Sequence, residues 1–143
     1  RNTIFLAEAG FQVDAIDISH KGLQQTAHKA TESGLSVNCI EHDLDESYAF
    51  TTDYDLIIVL WYVNLKLITQ LCDCLAPGGF LLCEEHLRSE QEVIGPGNPD
   101  FRVAPGALRD AVSTLDLLLY EEMVEPIPEG GQVASARVVA CKA

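Results

Sequence analysis

Four groups of residues in this chain have the type and spacing to do chemistry. Asp17 closes an apolar stretch (Val13, Ala15, Ile16). A carboxylate at the end of a strand in a nucleotide-binding sheet is placed to accept hydrogen bonds from both hydroxyls of a ribose. The plainer reading of Asp17 is a charge near the positive end of a helix that starts after Ser19. Asp43 follows the next apolar stretch and can accept a hydrogen bond from an exocyclic adenine amine, with Leu44 flanking the ring. Its neighbours Glu41, Asp45 and Glu46 support a solvated acidic turn equally well. Leu60, Trp61 and Tyr62 end a long apolar run and can line a pocket for a cationic sulfonium or an acceptor, although core packing is the stronger reading of Trp61. His86 has two acids beside it, Glu84 and Glu85, which should raise its basicity and make it a general base. His20, His28 and His42 fall in helical or turn settings and are explained as surface residues.

Other chemistries lack their motifs. There is no nucleophile elbow, no phosphate-gripping Gly-Lys-Ser/Thr sequence and no His/Cys spacing for a metal. The 5 cysteines are scattered among apolar neighbours, and Cys72 and Cys74, two apart on a helix, point to different sides. A reducing cytoplasm is the expected setting. A net charge of −13 repels phosphate backbones and excludes nucleic acid as the expected partner. The longest apolar run, Leu56 to Val63, is far short of the roughly 20 residues that span a bilayer, so no membrane association is expected. At 143 residues, 48% of them hydrophobic, the chain is expected to form one domain, 1–143, with a sizeable core.

The elements that must position these groups alternate. Asn2 to Ala9 reads as a helix with Ile4, Phe5 and Leu6 on or near its buried stripe and Gly10 as its left-handed stop. Phe11 to Ile18 reads as a strand, and Ser19 caps a helix that runs to about Ser33 on Leu23, Ala27 and Ala30. Leu35 to Ile40 is a second strand. Leu56 to Val63 is uncharged and β-branched, so it is expected to be a central parallel strand covered on both faces. Asn64 caps a helix carrying Leu65, Ile68, Leu71 and Leu75, which Ala76-Pro77-Gly78-Gly79 should end before a strand at Phe80 to Cys83. Leu87 to Val103 is rich in charge, Gly and Pro and makes the natural lid. Pro105 opens a short helix, and Leu117 to Tyr120 with Ala134 to Cys141 form a closing hairpin. The expected class is α/β, a mostly parallel sheet with helices on both faces and a C-terminal antiparallel hairpin. In such a sheet Asp17, Asp43, Leu60 to Tyr62 and Glu84 to His86 share the rim at the carboxyl ends of the strands.

The opening run Arg1-Asn2-Thr3-Ile4-Phe5-Leu6-Ala7-Glu8-Ala9-Gly10-Phe11-Gln12-Val13-Asp14-Ala15-Ile16-Asp17-Ile18-Ser19 resembles the stretch after the glycine-rich loop of class I S-adenosylmethionine-dependent methyltransferases, especially their tellurite-resistance-related branch. Asp43-Leu44, Tyr54-Asp55-Leu56-Ile57 and Leu75-Ala76-Pro77-Gly78-Gly79-Phe80 continue the match in order, as do Asn98-Pro99-Asp100-Phe101 and Pro105-Gly106-Ala107-Leu108. The resemblance implies a Rossmann-like sheet of order 3-2-1-4-5-7-6 and S-adenosyl-L-methionine as cofactor. It implies Asp17, with Ile18 beside it, on the ribose hydroxyls, Asp43 and Leu44 at the adenine, and Leu60, Trp61 and Tyr62 near the methionine. The reaction it implies is methyl transfer to a small-molecule acceptor, with His86 or Glu85 taking a proton where the acceptor is an amine or hydroxyl. Arg88, Phe101 and Arg102 border the expected lid and are candidates for the acceptor pocket.

The chain departs from that pattern twice. The family's first strand and glycine-rich loop would lie upstream of Arg1, so the native protein is expected to be longer by at least that strand and loop. Relatives often carry a histidine in the final hairpin, where this chain has Gln132. Two other readings compete. A non-catalytic protein could keep the fold without its chemistry, and a nicotinamide-dependent oxidoreductase would share the acid at Asp17 but would need a dinucleotide-shaped second half.

Overall fold

Local punctuation sets the first four elements. The helix α1 (Asn2–Glu8) is followed by Gly10 at φ +93°, a conformation that suits glycine. The strand β1 (Val13–Asp17) leads into α2 (His20–Glu32), where the Ser19 hydroxyl oxygen accepts the Gly22 N–H at 3.1 Å, and β2 (Val37–Glu41) follows. Leu23 and Ala30 are buried as their spacing predicts, but Phe5 is 68% exposed, because the packed stripe of α1 is carried by Ala7 with Ile4 and Leu6 half-buried. The strands β1 and β2 pair in parallel, from Val13 opposite Val37 to Asp17 opposite Glu41.

The computed structural model describes residues 1–143 in two compact units, and these elements form the first, 1–49. The second, 50–143, contains β3 (Tyr54–Leu60), α3 (Leu65–Asp73), β4 (Leu75–His86), a 3₁₀ turn (Pro99–Phe101), α4 (Ala107–Ala111), β5 (Asp116–Pro126) and β6 (Gln132–Cys141). Asn64 caps α3 as expected, its side-chain oxygen accepting the Leu67 N–H at 3.0 Å. The sheet has the order β3-β4-β6-β5, the same sequence of neighbours as the 4-5-7-6 half of the implied topology. Its core is formed by Ile68, Leu75, Leu81, Leu108, Val112 and Val138.

Four expectations are corrected. The strand pairing is not mostly parallel: β1 with β2 and β3 with β4 are parallel, but β6 lies antiparallel to both β4 and β5. The hairpin places both of its strands in the sheet, with β6 as an interior strand. The run from Leu56 is not a doubly covered central strand. β3 ends the order of its sheet, and Leu56, Ile57 and Ile58 are half-buried, with only Val59 buried. Ala76 to Gly79 does not separate helix from strand but runs inside β4, beginning opposite Tyr54. A Cβ on Gly79 would lie 2.7 Å from the Tyr54 carbonyl oxygen, so this close approach requires glycine. Pro105 does not open α4; Gly106 precedes it at φ +81°, and the Glu122 carboxylate accepts the Gly106 N–H at 2.6 Å.

The segment 87–103 is laced to the sheet. Leu87 bridges Val103, and Ile94 donates its N–H to Gln132. No helix is long and apolar enough to cross a membrane.

Candidate functional site

In the first unit the candidate residues gather at one end of the parallel pair. Asp17 is the last residue of β1, exposed, and one of its carboxylate oxygens accepts the Ser19 N–H at 2.8 Å. Both readings of this residue therefore meet in one geometry: one oxygen orients the start of α2, and the other is open to a hydroxyl donor. Ile18, next to it, is 63% exposed. The His42 N–H donates to the Asp17 carbonyl, which ties the segment after β2 to the end of β1. Asp43 is half-buried, with one oxygen on the Asp45 N–H at 3.0 Å, and Leu44 beside it is half-buried. His20 holds Glu41 at 2.6 Å on the surface. His42 is not simply a surface residue: it packs on Tyr48 with ring centres 4.8 Å apart, and its Nε2 is buried.

In the second unit the chemistry collects where β3 and β4 end. Leu60 closes β3, and Trp61 turns away at φ +60° while donating its N–H to the Glu84 carbonyl. A left-handed conformation is rare for a bulky residue and is tolerated where the surroundings hold it. It brings the Trp61 ring over His86, 4.3 Å between centres, and leaves Trp61 45% exposed, so the core reading of this residue is set aside. Tyr62 is half-buried beyond it.

The acids beside His86 do not raise its basicity. Alternation along β4 puts Glu85 on the opposite face, and Glu84, which does pull upward, is outweighed by burial and by the Arg102 guanidinium, so His86 is held below its ordinary value. Glu84 is itself engaged by Arg137 at 2.7 Å, and Arg137 also takes Glu125 at 2.7 Å. Glu85 is fully buried, with Cys83 Sγ 3.7 Å from one oxygen and no hydrogen-bond partner on the other. Burial pushes its carboxyl up to about 7, against the opposing pull of the Tyr62 backbone.

The acceptor-side candidates lie along the laced segment. Arg102 donates to the carbonyls of Pro96, Leu87 and Ile94, and Arg88 to those of Pro99 and Arg102, so both guanidiniums shape the segment. Phe101 is 58% exposed. Sequence reasoning missed Ser135, which lies fully buried opposite His86 in the β4–β6 register with its hydroxyl unpartnered. Nothing in the run Val133-Ala134-Ser135-Ala136 distinguishes it from an ordinary core serine.

Residues 1–79 match the sequence profile of a family described as a methyltransferase domain. No curated protein is close enough in sequence to count as a relative. Among solved structures, the chain is similar to TehB from Haemophilus influenzae, with 17% identity, a TM-score of 0.84, and coverage of 99% of this chain and 54% of that one. The chain thus spans about half the length of that structure. It is also similar to an S-adenosylmethionine-dependent methyltransferase from Methanosarcina mazei (13% identity, TM-score 0.71, 97% of this chain and 85% of that one). A third likeness is to the magnesium protoporphyrin IX methyltransferase from Synechocystis, solved with bound S-adenosylmethionine (18% identity, TM-score 0.67, 99% of this chain and 64% of that one). At these identities the likenesses establish a shared α/β methyltransferase-like fold.

Proposed function

The chain belongs to the methyltransferase domain family, and from that premise we propose that it moves a methyl group from S-adenosylmethionine to a small-molecule acceptor. The observation that carries the reading is the family match itself, because the matched residues include Asp17 and Asp43. Each of these carboxylates spends one oxygen on a local N–H and keeps another for a ligand, so the donor set fits an adenosyl group. We further assign the chain to the tellurite-resistance-related branch, on the resemblance of residues 1–19 and 75–80. We also assign the native protein an additional strand and glycine-rich loop, on the same resemblance. Five free cysteines suit a reducing compartment.

When bound, the cofactor supplies an activated methyl on a sulfonium, so the protein mainly has to align the acceptor and exclude water. Asp17 accepts the ribose hydroxyls with Ile18 alongside, and Asp43 accepts the adenine amine with Leu44 against the ring. Leu60, Trp61 and Tyr62 take the methionine end. Arg88, Phe101 and Arg102 border the acceptor. His86, held neutral, can receive a proton from an amine or hydroxyl acceptor; a soft anion would need no base.

The test is a calorimetric titration of S-adenosylhomocysteine, with NAD as control, into the full native chain. Binding of the first alone is expected, weakened about tenfold or more by Asp17→Ala through loss of a charged hydrogen-bond acceptor. Binding of neither compound, or of NAD alone, would overturn the reading.

A further inference from the structure

We propose that Glu85 is a positioning residue: from inside the second unit its carboxylate holds the turn that carries Trp61 and Tyr62, and its charge sets how firmly that turn grips the methionine end of the cofactor. The proposal rests on the methyl-transfer reading and adds to it a residue that never touches the ligand. Its geometry comes from the pairing of β3 with β4. Leu60 lies opposite Glu84 at the end of that register, and Trp61 then turns away at φ +60° with its N–H on the Glu84 carbonyl at 2.8 Å. The next N–H, that of Tyr62, is given to the Glu85 carboxylate. Asn64, two residues further on, accepts the Leu67 N–H and starts α3. Successive N–H groups of the turn are thus tied to successive residues of β4. The first tie is to a backbone oxygen that any residue supplies, and the second is to a side chain that the sequence had to provide.

That side chain is costly where it lies. Glu85 is fully buried, on the face of β4 that also carries Leu81 and Cys83, and one of its oxygens has no hydrogen-bond partner. Ala136 is opposite it on β6, and Glu122 is opposite Ala136 on β5. Cys83 on β4 and Cys72 on α3 stay thiols, since burial pushes both up, and the neighbouring charge acting on Glu85 is the like charge of Glu84. Of the cations on the two helices of this unit, Lys66 is exposed, and Arg109 is held by Asp110 and lies over the Tyr120 ring. No positive charge offsets the burial. An apolar side chain at this position would carry no such cost, so the carboxylate is explained by what it holds. Full burial keeps it from the proton of an acceptor; what lies within its reach is the backbone of the turn.

Charge decides the strength of the hold. An ionised carboxylate accepts an N–H about twice as strongly as a neutral carbonyl oxygen does, and a protonated Glu85 offers only the latter. Burial raises the Glu85 carboxyl to about 7, so both forms are present near neutral pH. Because the value is raised, the proton is on at mildly acid pH and off at mildly alkaline pH. The turn is therefore held loosely on the acid side and firmly on the alkaline side, and with it the Trp61 ring, 4.3 Å from His86 between centres. A cofactor that needs the turn in place binds the ionised form better, and its binding releases a proton from Glu85 to solvent. Glutamine has the same shape and a neutral oxygen, so at this position it reproduces the protonated state at every pH.

The test follows the full native chain and Glu85→Gln by two readouts, tryptophan fluorescence without ligand and calorimetric titration of S-adenosylhomocysteine, across mildly acid to mildly alkaline pH. The native fluorescence is expected to step near the Glu85 value of about 7, and the step should be absent from Glu85→Gln and from Trp61→Phe. Titration of His86 also reaches the Trp61 ring, but it falls on the acid side, because His86 is held below its ordinary value, and it persists in Glu85→Gln. S-adenosylhomocysteine is expected to bind the native chain about fivefold more tightly on the alkaline side, and to bind Glu85→Gln at the native acid-side strength throughout. Binding of that strength also reports that the variant folds. If Glu85→Gln keeps the fluorescence step, if it matches the native affinity on the alkaline side, or if native affinity does not change with pH, Glu85 does not position the turn and methyl transfer still stands. If S-adenosylhomocysteine binds neither chain at any pH, the methyl-transfer reading and the grip on the cofactor are both overturned.

Discussion

The two carboxylates of the first unit's candidate site and the buried polar groups at the end of β4 in the second are placed by opposite routes, although the first unit also holds one buried polar atom without a partner, His42 Nε2. In the first, Asp17 and Asp43 each bond a backbone N–H two residues ahead and remain accessible, so chain neighbours settle their geometry. In the second, Glu85, His86 and Ser135 are placed by a strand register that joins residues about fifty apart, and each keeps a buried polar atom without a partner. Local bonding leaves polar groups open to water, whereas register burial removes them from water and leaves them dependent on whatever else fills the space. The cost of that second arrangement is the sharpest way to separate the units.

Glu85 carries the largest expected effect. Its carboxyl is raised from 4.5 in the ordinary state to about 7 in the fold, so the folded chain holds the proton that the unfolded chain releases. This contribution is fully present below the unfolded value and is lost as pH rises from there to about 7. The shift corresponds to about 3 kcal/mol. Urea unfolding of the native protein and Glu85→Gln at acid and at mildly alkaline pH should show the variant gaining about that much relative to the native protein on the alkaline side. Parallel pH profiles would remove the distinction drawn between the units.

Ser19 supplies the contrast in the first unit. Its hydroxyl caps α2 and touches only its own turn, so Ser19→Ala should cost about 1 kcal/mol in the same unfolding assay, with no dependence on pH. A loss several times larger would mean that the first unit, too, is held by contacts far along the chain.

The same division explains what the sequence could reveal. Ser19, Asn64, Gly10 and Gly34 announce helix ends because capping and left-handed closure act within a few residues, and all four lie where their types predict. Asp17 and Asp43 were legible as candidates for the same reason. The errors concern register and neighbours. Ala76 to Gly79 reads as a helix stop but is drawn into β4 by pairing with the strand that contains Tyr54. His86 reads as made more basic by adjacent acids, yet alternation sends Glu85 to the other face, and burial, with Arg102 sixteen residues on, lowers its basicity instead. Ser135 offered no signal, because its importance arises only from what lies opposite on β4.

Ser135 also carries the smallest expected change in stability, and the most discriminating one. A buried hydroxyl without a partner gives up its hydration and gains no bond in return, so deleting it removes a cost. Alanine fits the space without a clash, and the strand already places Ala134 and Ala136 on either side. Ser135→Ala should therefore leave unfolding free energy unchanged or raise it by up to about 1 kcal/mol, whereas an ordinary satisfied core hydroxyl would lose about that amount. Destabilisation would instead mean that the hydroxyl finds a partner within the folded chain, and the two units would then satisfy their polar groups in the same way.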